Sequence, residues 1–176
     1  MSTSAIAVAT PKDTPKLQFD ALYRNSAPDV YAYVASLLRD RAAAEDVTAQ
    51  AFERAYRRQR SFNPKRGNER SWLFGIARNA ALDELRRRKR RAHLAVDPED
   101  PAAQAAFDDV GDGDARRLTV QSALGELDPP DRELITLKFH GGLSNAEIAS
   151  VVNTSESNVG TRVHRAMTQL REACND

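Results

Sequence analysis

Cysteine occurs once in this chain, at Cys174, which excludes an internal disulfide and any cage of cysteines around a metal. Aromatic residues make up only 6% of the sequence, and β-branched residues are thin beside Ala, Leu, Arg and Glu. Helix propensity therefore exceeds strand propensity throughout, and the expected fold class is all-α. No apolar run approaches the roughly 18 residues that span a bilayer, so membrane insertion is not expected. The N-terminus lacks the basic-then-apolar order of a secretion signal, and a cytoplasmic location is the expectation. Histidines are few and scattered, at His93, His140 and His164, and neither an H-E-x-x-H pair nor a glycine-rich phosphate loop occurs. A non-enzyme without metal or cofactor is the reading these absences support.

Charge is present in quantity but sorted by position. The formal net charge of +1 averages two blocks of opposite sign. From Ala51 to Arg91 there are fourteen Lys and Arg against four Asp and Glu, a net of +10 that includes the run Arg86–Arg91. From Ala92 to Ala115 there are seven acidic residues and no Lys or Arg, a net of −7. Six consecutive cations surround a helix and repel one another unless an anion is near, so a polyanionic partner is the natural reading of the first block. The alternative is a solvated face.

Hydrophobic periodicity divides the chain into two helical modules. Residues 1–16 read as a disordered tail. Over Leu17–Leu38 apolar residues recur at helical spacing but are interrupted at Pro28, which predicts a short helix followed by a longer one. Asp40 and Arg41 mark a turn. A helix is expected over about Ala43–Arg60, then a loop over Ser61–Arg70 where Asn63-Pro64 and Gly67-Asn68 break helix, then a helix from about Ser71 through the basic run. The proline- and glycine-containing acidic stretch, 92–116, reads as a flexible linker because it holds too little apolar surface to offset its ordering entropy. A short helix over Ala102–Phe107 is compatible with its composition. The resulting domains are 17–91 and 117–176.

The second module carries the sharpest pattern. A helix is expected to start after Asp128-Pro129-Pro130 and to stop at Gly141-Gly142. Ser144-Asn145-Ala146-Glu147 has capping-box spacing ahead of a short helix. Asn153-Thr154-Ser155 makes a turn into a last helix carrying Val159, Val163, Ala166, Met167 and Leu170, which completes a helix-turn-helix. Such a motif lays its second helix in the major groove, N-terminal residues against base edges, and here those positions hold Ser155, Ser157, Asn158, Thr161, Arg162 and Arg165. Asn158 and Arg162 are suited to base edges and Arg165, with His164, to phosphates. A helical hairpin with a polar outer face is the plainer reading. In the first module, basic residues interleave with Tyr56, Phe62, Trp72 and Phe74, a composition that suits single-stranded nucleic acid, whose bases stack on aromatic faces. Tyr56 and Phe74 are expected in the core rather than in contact, and Trp72 is expected to be mainly structural with one exposed edge.

The segments Arg41-Ala42-Ala43-Ala44-Glu45-Asp46-Val47, Phe52-Glu53-Arg54-Ala55-Tyr56, Ser71-Trp72-Leu73, Ile76-Ala77-Arg78-Asn79 and Asp83-Glu84-Leu85-Arg86-Arg87 resemble region 2 of extracytoplasmic-function (ECF) sigma factors. Leu124–Leu127, Asp131-Arg132-Glu133, Gly142-Leu143-Ser144, Glu147-Ile148-Ala149 and Arg162-Val163-His164-Arg165-Ala166 resemble region 4. The resemblance runs from about Phe19 to Ala173, with both motif sets in order. It implies that core RNA polymerase is met by Asp46, Gln50 and Glu53. It also implies that the melted minus-10 element is held by Asn63, Lys65, Arg66, Asn68, Ser71, Trp72, Arg78, Asn79, Arg86 and Arg87, and that the minus-35 duplex is read from Ser155 onward. An anti-sigma factor is a further implied partner. Two positions depart from the family pattern: Ala49-Gln50 in the polymerase-binding helix, and Gly160 where a basic residue is common.

A stand-alone helix-turn-helix regulator is the main alternative. It would bind duplex DNA without polymerase, usually as a dimer across two half-sites, and no clear dimerisation helix is visible. An RNA-binding module is a third reading.

Overall fold

The structure, a computed structural model, describes residues 17–94 and 115–175. The expected tail, the central part of the expected linker and the segment Ala102–Phe107 lie outside the described residues. Among the described residues seven α-helices follow in order: α1 (Phe19–Leu38), α2 (Arg41–Arg58), α3 (Glu69–Leu94), α4 (Ala115–Glu126), α5 (Pro129–Phe139), α6 (Asn145–Val152) and α7 (Glu156–Asn175). No strand occurs among the described residues.

Pro28 does not divide α1. The helix is continuous from Phe19 to Leu38 with the proline inside it, although proline removes a hydrogen bond and crowds the preceding turn. What holds it together is its buried stripe, Leu22, Ser26, Val30, Tyr33, Val34 and Leu38, which straddles the proline and packs on α2 and α3. Arg39 ends α1 in the left-handed region at φ 50°, its N–H donating to the Ala35 carbonyl. Asp40 then caps α2, its Oδ1 accepting from the Ala43 N–H at 3.0 Å. That cap starts the second helix at Arg41, two residues earlier than the periodicity predicts, and the two-residue corner makes α1 and α2 antiparallel neighbours.

α2 buries Ala44, Val47, Ala51, Phe52 and Ala55, then tightens into a 3-10 turn over Gln59–Ser61. Phe74 is fully buried, as expected, but Tyr56 is 58% exposed and meets Phe19 only edge-on at 5.2 Å. The expectation of a core Tyr56 is therefore wrong: its position on α2 points away from the buried stripe at Val47, Ala51 and Ala55. α3 begins at Glu69 because Asn68 caps it, Oδ1 accepting from the Ser71 N–H at 2.7 Å. It continues to Leu94, so the first three residues of the expected linker are helical.

In the second half, α4 was not distinguished by the sequence pattern. Arg132 fastens its end, donating to the carbonyls of Leu124 at 2.7 Å, Gly125 at 2.7 Å and Leu127 at 2.8 Å. α5 starts on the two prolines and stops as expected, with Gly142 at φ 63°. The capping box at Ser144 and Glu147 is formed in both directions. Asn153 ends α6 in the left-handed region, and the Ser155 hydroxyl accepts from the Asn158 N–H at 3.2 Å to open α7.

The two halves pack on each other. α1 meets α5 and α3 meets α6, and one apolar cluster contains Val30, Tyr33 and Phe74 together with Leu134, Leu137, Leu143 and Ile148. A smaller cluster of Leu127, Ile135 and Ala166 joins α4, α5 and α7.

Candidate nucleic-acid and polymerase surfaces

Three surfaces collect the residues singled out by sequence. On α2, Asp46 and Glu53 are exposed and Gln50 is half-buried. Spacings of four and three residues align them along one stripe of the helix. Glu53 is paired with Arg57 at 2.6 Å, an exposed bridge that leaves the carboxylate accessible. Ala49, at the departure from the family pattern, is exposed on the same helix.

The second surface is a cleft of about 480 Å³ between the α2–α3 loop and α3. The loop contributes Ser61, Phe62, Asn63, Arg66 and Gly67, and α3 contributes Ser71, Trp72, Gly75, Ile76 and Asn79. Phe62 and Trp72 meet edge-to-face at 5.6 Å, which fixes both rings at the wall. The loop is shaped by its own polar groups: the Asn63 side chain accepts from the Lys65 N–H at 3.0 Å, and Gly67 adopts φ 151°, open only to glycine without strain. None of the lining residues is acidic. The cleft thus offers an aromatic edge, two carboxamides and a guanidinium, which together suit an unstacked base and its phosphate.

Not every predicted contact is free at this surface. Asn63, Lys65, Arg66 and Asn79 are exposed. Asn68 is spent on capping α3 and on donating to the Glu147 carboxylate. Ser71 is buried, its hydroxyl donating to the Asn68 carbonyl at 3.0 Å. Arg78 donates through Nε to the Glu133 carboxylate at 2.7 Å, with side chains only 22% and 12% exposed. Farther along α3, Arg86 pairs with Asp83 at 3.2 Å and Arg87 pairs with Glu84, and both remain largely open to solvent. Burial raises the Glu84 pKa, but hydrogen bonds and charge from Arg87 and Arg88 outweigh it and hold the carboxyl below its ordinary range.

Sequence reasoning missed the residues that join the halves. Tyr33, fully buried, donates to the same Glu133 carboxylate at 2.8 Å. Burial first, and the Glu133 charge second, push its phenol well above the ordinary tyrosine range. Burial lowers the Arg78 pKa, yet the hydrogen bond and charge of Glu133 leave it raised overall. Arg70 donates to Asp29, to the Ser26 hydroxyl at 3.2 Å, to the His140 carbonyl at 3.1 Å and to the Gly141 carbonyl. Ser150 and Val151 of α6 complete the rim of the cleft. No local signal marks these pairs, because their partners lie tens of residues apart.

The third surface is the start of α7. Ser155, Ser157, Asn158, Thr161 and Arg165 are exposed there. Arg162 is turned inward: its Nε meets Asp131 Oδ1 at 2.7 Å, and Asp131 is 5% exposed. Arg165 reaches the other oxygen of Asp131 at 3.1 Å while staying 68% exposed. Among the described residues, no group of three His, Cys, Asp or Glu is disposed to hold a metal, and no helix is long and apolar enough to cross a membrane.

Comparison with known proteins matches both halves. Residues 22–91 match the family model for Sigma-70 region 2, and residues 117–170 match that for Sigma-70, region 4. ECF RNA polymerase sigma factor SigL of Mycobacterium tuberculosis is 30% identical over 151 residues, 86% of this chain and 85% of the relative. ECF RNA polymerase sigma factor SigM of Bacillus subtilis is 28% identical over 163 residues, 90% of this chain and 96% of the relative. Among solved structures, the sigma factor RpoE of Bartonella quintana, in complex with the anti-sigma factor NepR, superposes with a TM-score of 0.70 at 27% identity, covering 89% of this chain and 96% of that one. CnrH, in complex with the cytosolic domain of CnrY, gives 0.61 at 26% identity, covering 89% and 87%. Two family models in chain order and a relative matched over most of both lengths make this chain a member of the ECF RNA polymerase sigma factor family.

Proposed function

We propose that the chain directs core RNA polymerase to specific promoters by holding a melted minus-10 element in the α3 cleft and the duplex minus-35 element on α7. The observation that carries this reading is the pairing of two chemically different surfaces on one chain. An aromatic and cationic cleft suits unstacked single strands, while a capped helix N-terminus with short polar side chains suits the major groove. In this assignment Asn63, Lys65, Arg66, Trp72 and Asn79 meet the single strand at the cleft, with Asn68, Ser71 and Arg78 joining once their present partners release them. Arg86 and Arg87 follow its phosphates along α3. Ser155, Ser157, Asn158, Thr161 and Arg165 face the duplex, and Arg162 acts through Asp131 to set the angle of α7. Asp46, Gln50 and Glu53 form the polymerase-binding stripe.

The division into 17–91 and 117–176 follows from these separate tasks, since each half needs its own rigid surface. The protein acts in the cytoplasm and catalyses no reaction of its own; chemistry belongs to the polymerase. An anti-sigma partner is proposed by analogy with the complex of RpoE with the anti-sigma factor NepR. A gel-shift on a promoter fragment tests the reading: a specific complex is expected only when core polymerase accompanies the chain. Tight sequence-specific binding by the chain alone would favour a stand-alone regulator instead.

A further inference from the structure

The consecutive cations Arg86–Arg91 share one helix, and the packing sorts them. Ala77, Ala81 and Glu84 are buried on the core-facing side of α3, and the same spacing of four, three and four residues places Arg88 next in that stripe. Its side chain is 31% exposed, against 68% for Arg86. Each nitrogen of its guanidinium meets a different acceptor. Nε donates to Glu84 one turn back at 3.1 Å, Nη1 to the Leu38 carbonyl at 3.3 Å and Nη2 to Asp40 Oδ2 at 2.9 Å. Leu38 is the last residue of α1, where a cation complements the helix dipole. Asp40 caps α2 through its other oxygen. One side chain of α3 thus fastens the end of α1 and the start of α2.

The opposite side of α3 carries Asn79, Arg86 and Arg90, all exposed and separated by seven and four residues. Arg86 and Arg90 therefore continue the line of Asn79, a cleft residue, toward the end of the helix. A guanidinium whose three nitrogens serve three fixed acceptors is a fork that lysine cannot reproduce, whereas an outward cation can meet phosphate as a point charge, which lysine also supplies. We propose that Arg88 is a positioning residue: it holds the C-terminal half of α3 at a fixed angle to the α1–α2 corner and so aims Arg86 and Arg90 at phosphates that it does not itself touch. This role presupposes the proposed function, in which the single strand runs along α3. The cationic run then contains an inward brace and an outward track, a division that charge alone does not make.

Charge-conserving variants of the full chain separate the two roles. Binding of a labelled single-stranded oligonucleotide of mixed sequence is measured by fluorescence anisotropy across a salt series, and stability by urea unfolding followed by circular dichroism. Arg90→Met is expected to flatten the dependence of log affinity on log salt by about 0.7, the loss of one phosphate contact. Arg90→Lys should keep wild-type affinity. Arg88→Lys, with its charge equally conserved, is expected to weaken binding about fivefold, or roughly 1 kcal/mol. Combined with Arg90→Met, it should lose less than the two single losses together, because both act through the same contact. Asp40→Asn can still cap α2 but puts an amide N–H where Arg88 needs an acceptor. It should bind more weakly than Asp20→Asn, an exposed control for an equal loss of negative charge.

The brace is overturned if Arg88→Lys binds like wild type, even with a lowered unfolding midpoint. It is overturned equally if Asp40→Asn binds as tightly as Asp20→Asn or more so, since a released Arg88 would then be reaching phosphate itself. Strict additivity of Arg88→Lys with Arg90→Met, or an Arg90→Met chain that binds like wild type, also sinks it. Should Arg88→Lys fail to fold, Asp40→Asn decides by the sign of its effect. Failure of the sigma-factor reading is seen separately, as a wild-type chain that binds the oligonucleotide but does not associate with core polymerase.

Discussion

Replacing Asp131 or Arg162 separates a residue that reads DNA from one that holds the reader in place. Arg162 approaches Asp131 Oδ1 with Nε at 2.7 Å and Nη2 at 2.5 Å, and the carboxylate is only 7% exposed. Breaking a fully buried pair costs about 3–5 kcal/mol. The Arg162 side chain keeps 29% of its exposure, so water screens part of the interaction and about 2–3 kcal/mol is the expected loss for Arg162→Met. Arg165, 68% exposed, contributes less than about 1 kcal/mol to the same carboxylate and cannot replace Arg162. Asp131→Ala should cost about 2 kcal/mol, less than Arg162→Met, because the orphaned arginine can turn to solvent while the orphaned carboxylate cannot. The double variant should lose less than the sum, with a coupling of about 1–2 kcal/mol. Urea unfolding followed by circular dichroism measures all three. An Arg162→Met protein as stable as wild type that no longer binds the minus-35 duplex in the holoenzyme would refute the strut and make Arg162 a base reader.

Other perturbations probe separate parts of the account. Arg132→Met removes three hydrogen bonds from a charged donor to the carbonyls ending α4, and should lower stability by about 2–3 kcal/mol in the same urea assay. Glu84 titrates below its ordinary range in the folded chain, so its contribution is fully present above the unfolded value of about 4.3 and is lost as pH falls through the lower folded value. Glu84→Gln should therefore be less stable than wild type at neutral pH, with the gap closing in acid; a gap independent of pH would argue against the ion pairs. At Gly160 an added Cβ meets Asn145 Nδ2 at 3.5 Å, an ordinary contact. Gly160→Ala should stabilise the chain by up to about 1 kcal/mol, measurable as a raised unfolding midpoint.

Local chemistry was legible wherever a residue acts on its near neighbours. Ser144 and Glu147 announce their capping box by spacing, Pro129 and Gly142 bracket α5, and the apolar stripe of α7 is plain in the sequence. Misreadings arose where tertiary packing overrode a local rule. Pro28 breaks a helix in isolation, but Val30, Tyr33 and Val34 beyond it are completely buried and carry α1 through. Asn68, read as a DNA contact, is first of all the cap of α3. Arg162 has the composition of a base reader and the geometry of a strut, a difference set by Asp131 on another helix. Least legible was the junction itself: Arg78 and Glu133 stand 55 residues apart, and neither periodicity nor charge pattern joins them.

In the proposed function, one chain sets the start site of a polymerase with a single-strand cleft and a duplex-reading helix. Run-off transcription with core polymerase and the purified chain on genomic fragments, followed by mapping of RNA 5′ ends, tests it most directly. Transcripts from a limited set of shared start sites are expected only when both components are present, and they should be lost when Trp72 and Asn79 in the cleft are replaced together. Unchanged start sites upon adding the chain, or transcripts indifferent to the cleft variant, would contradict it.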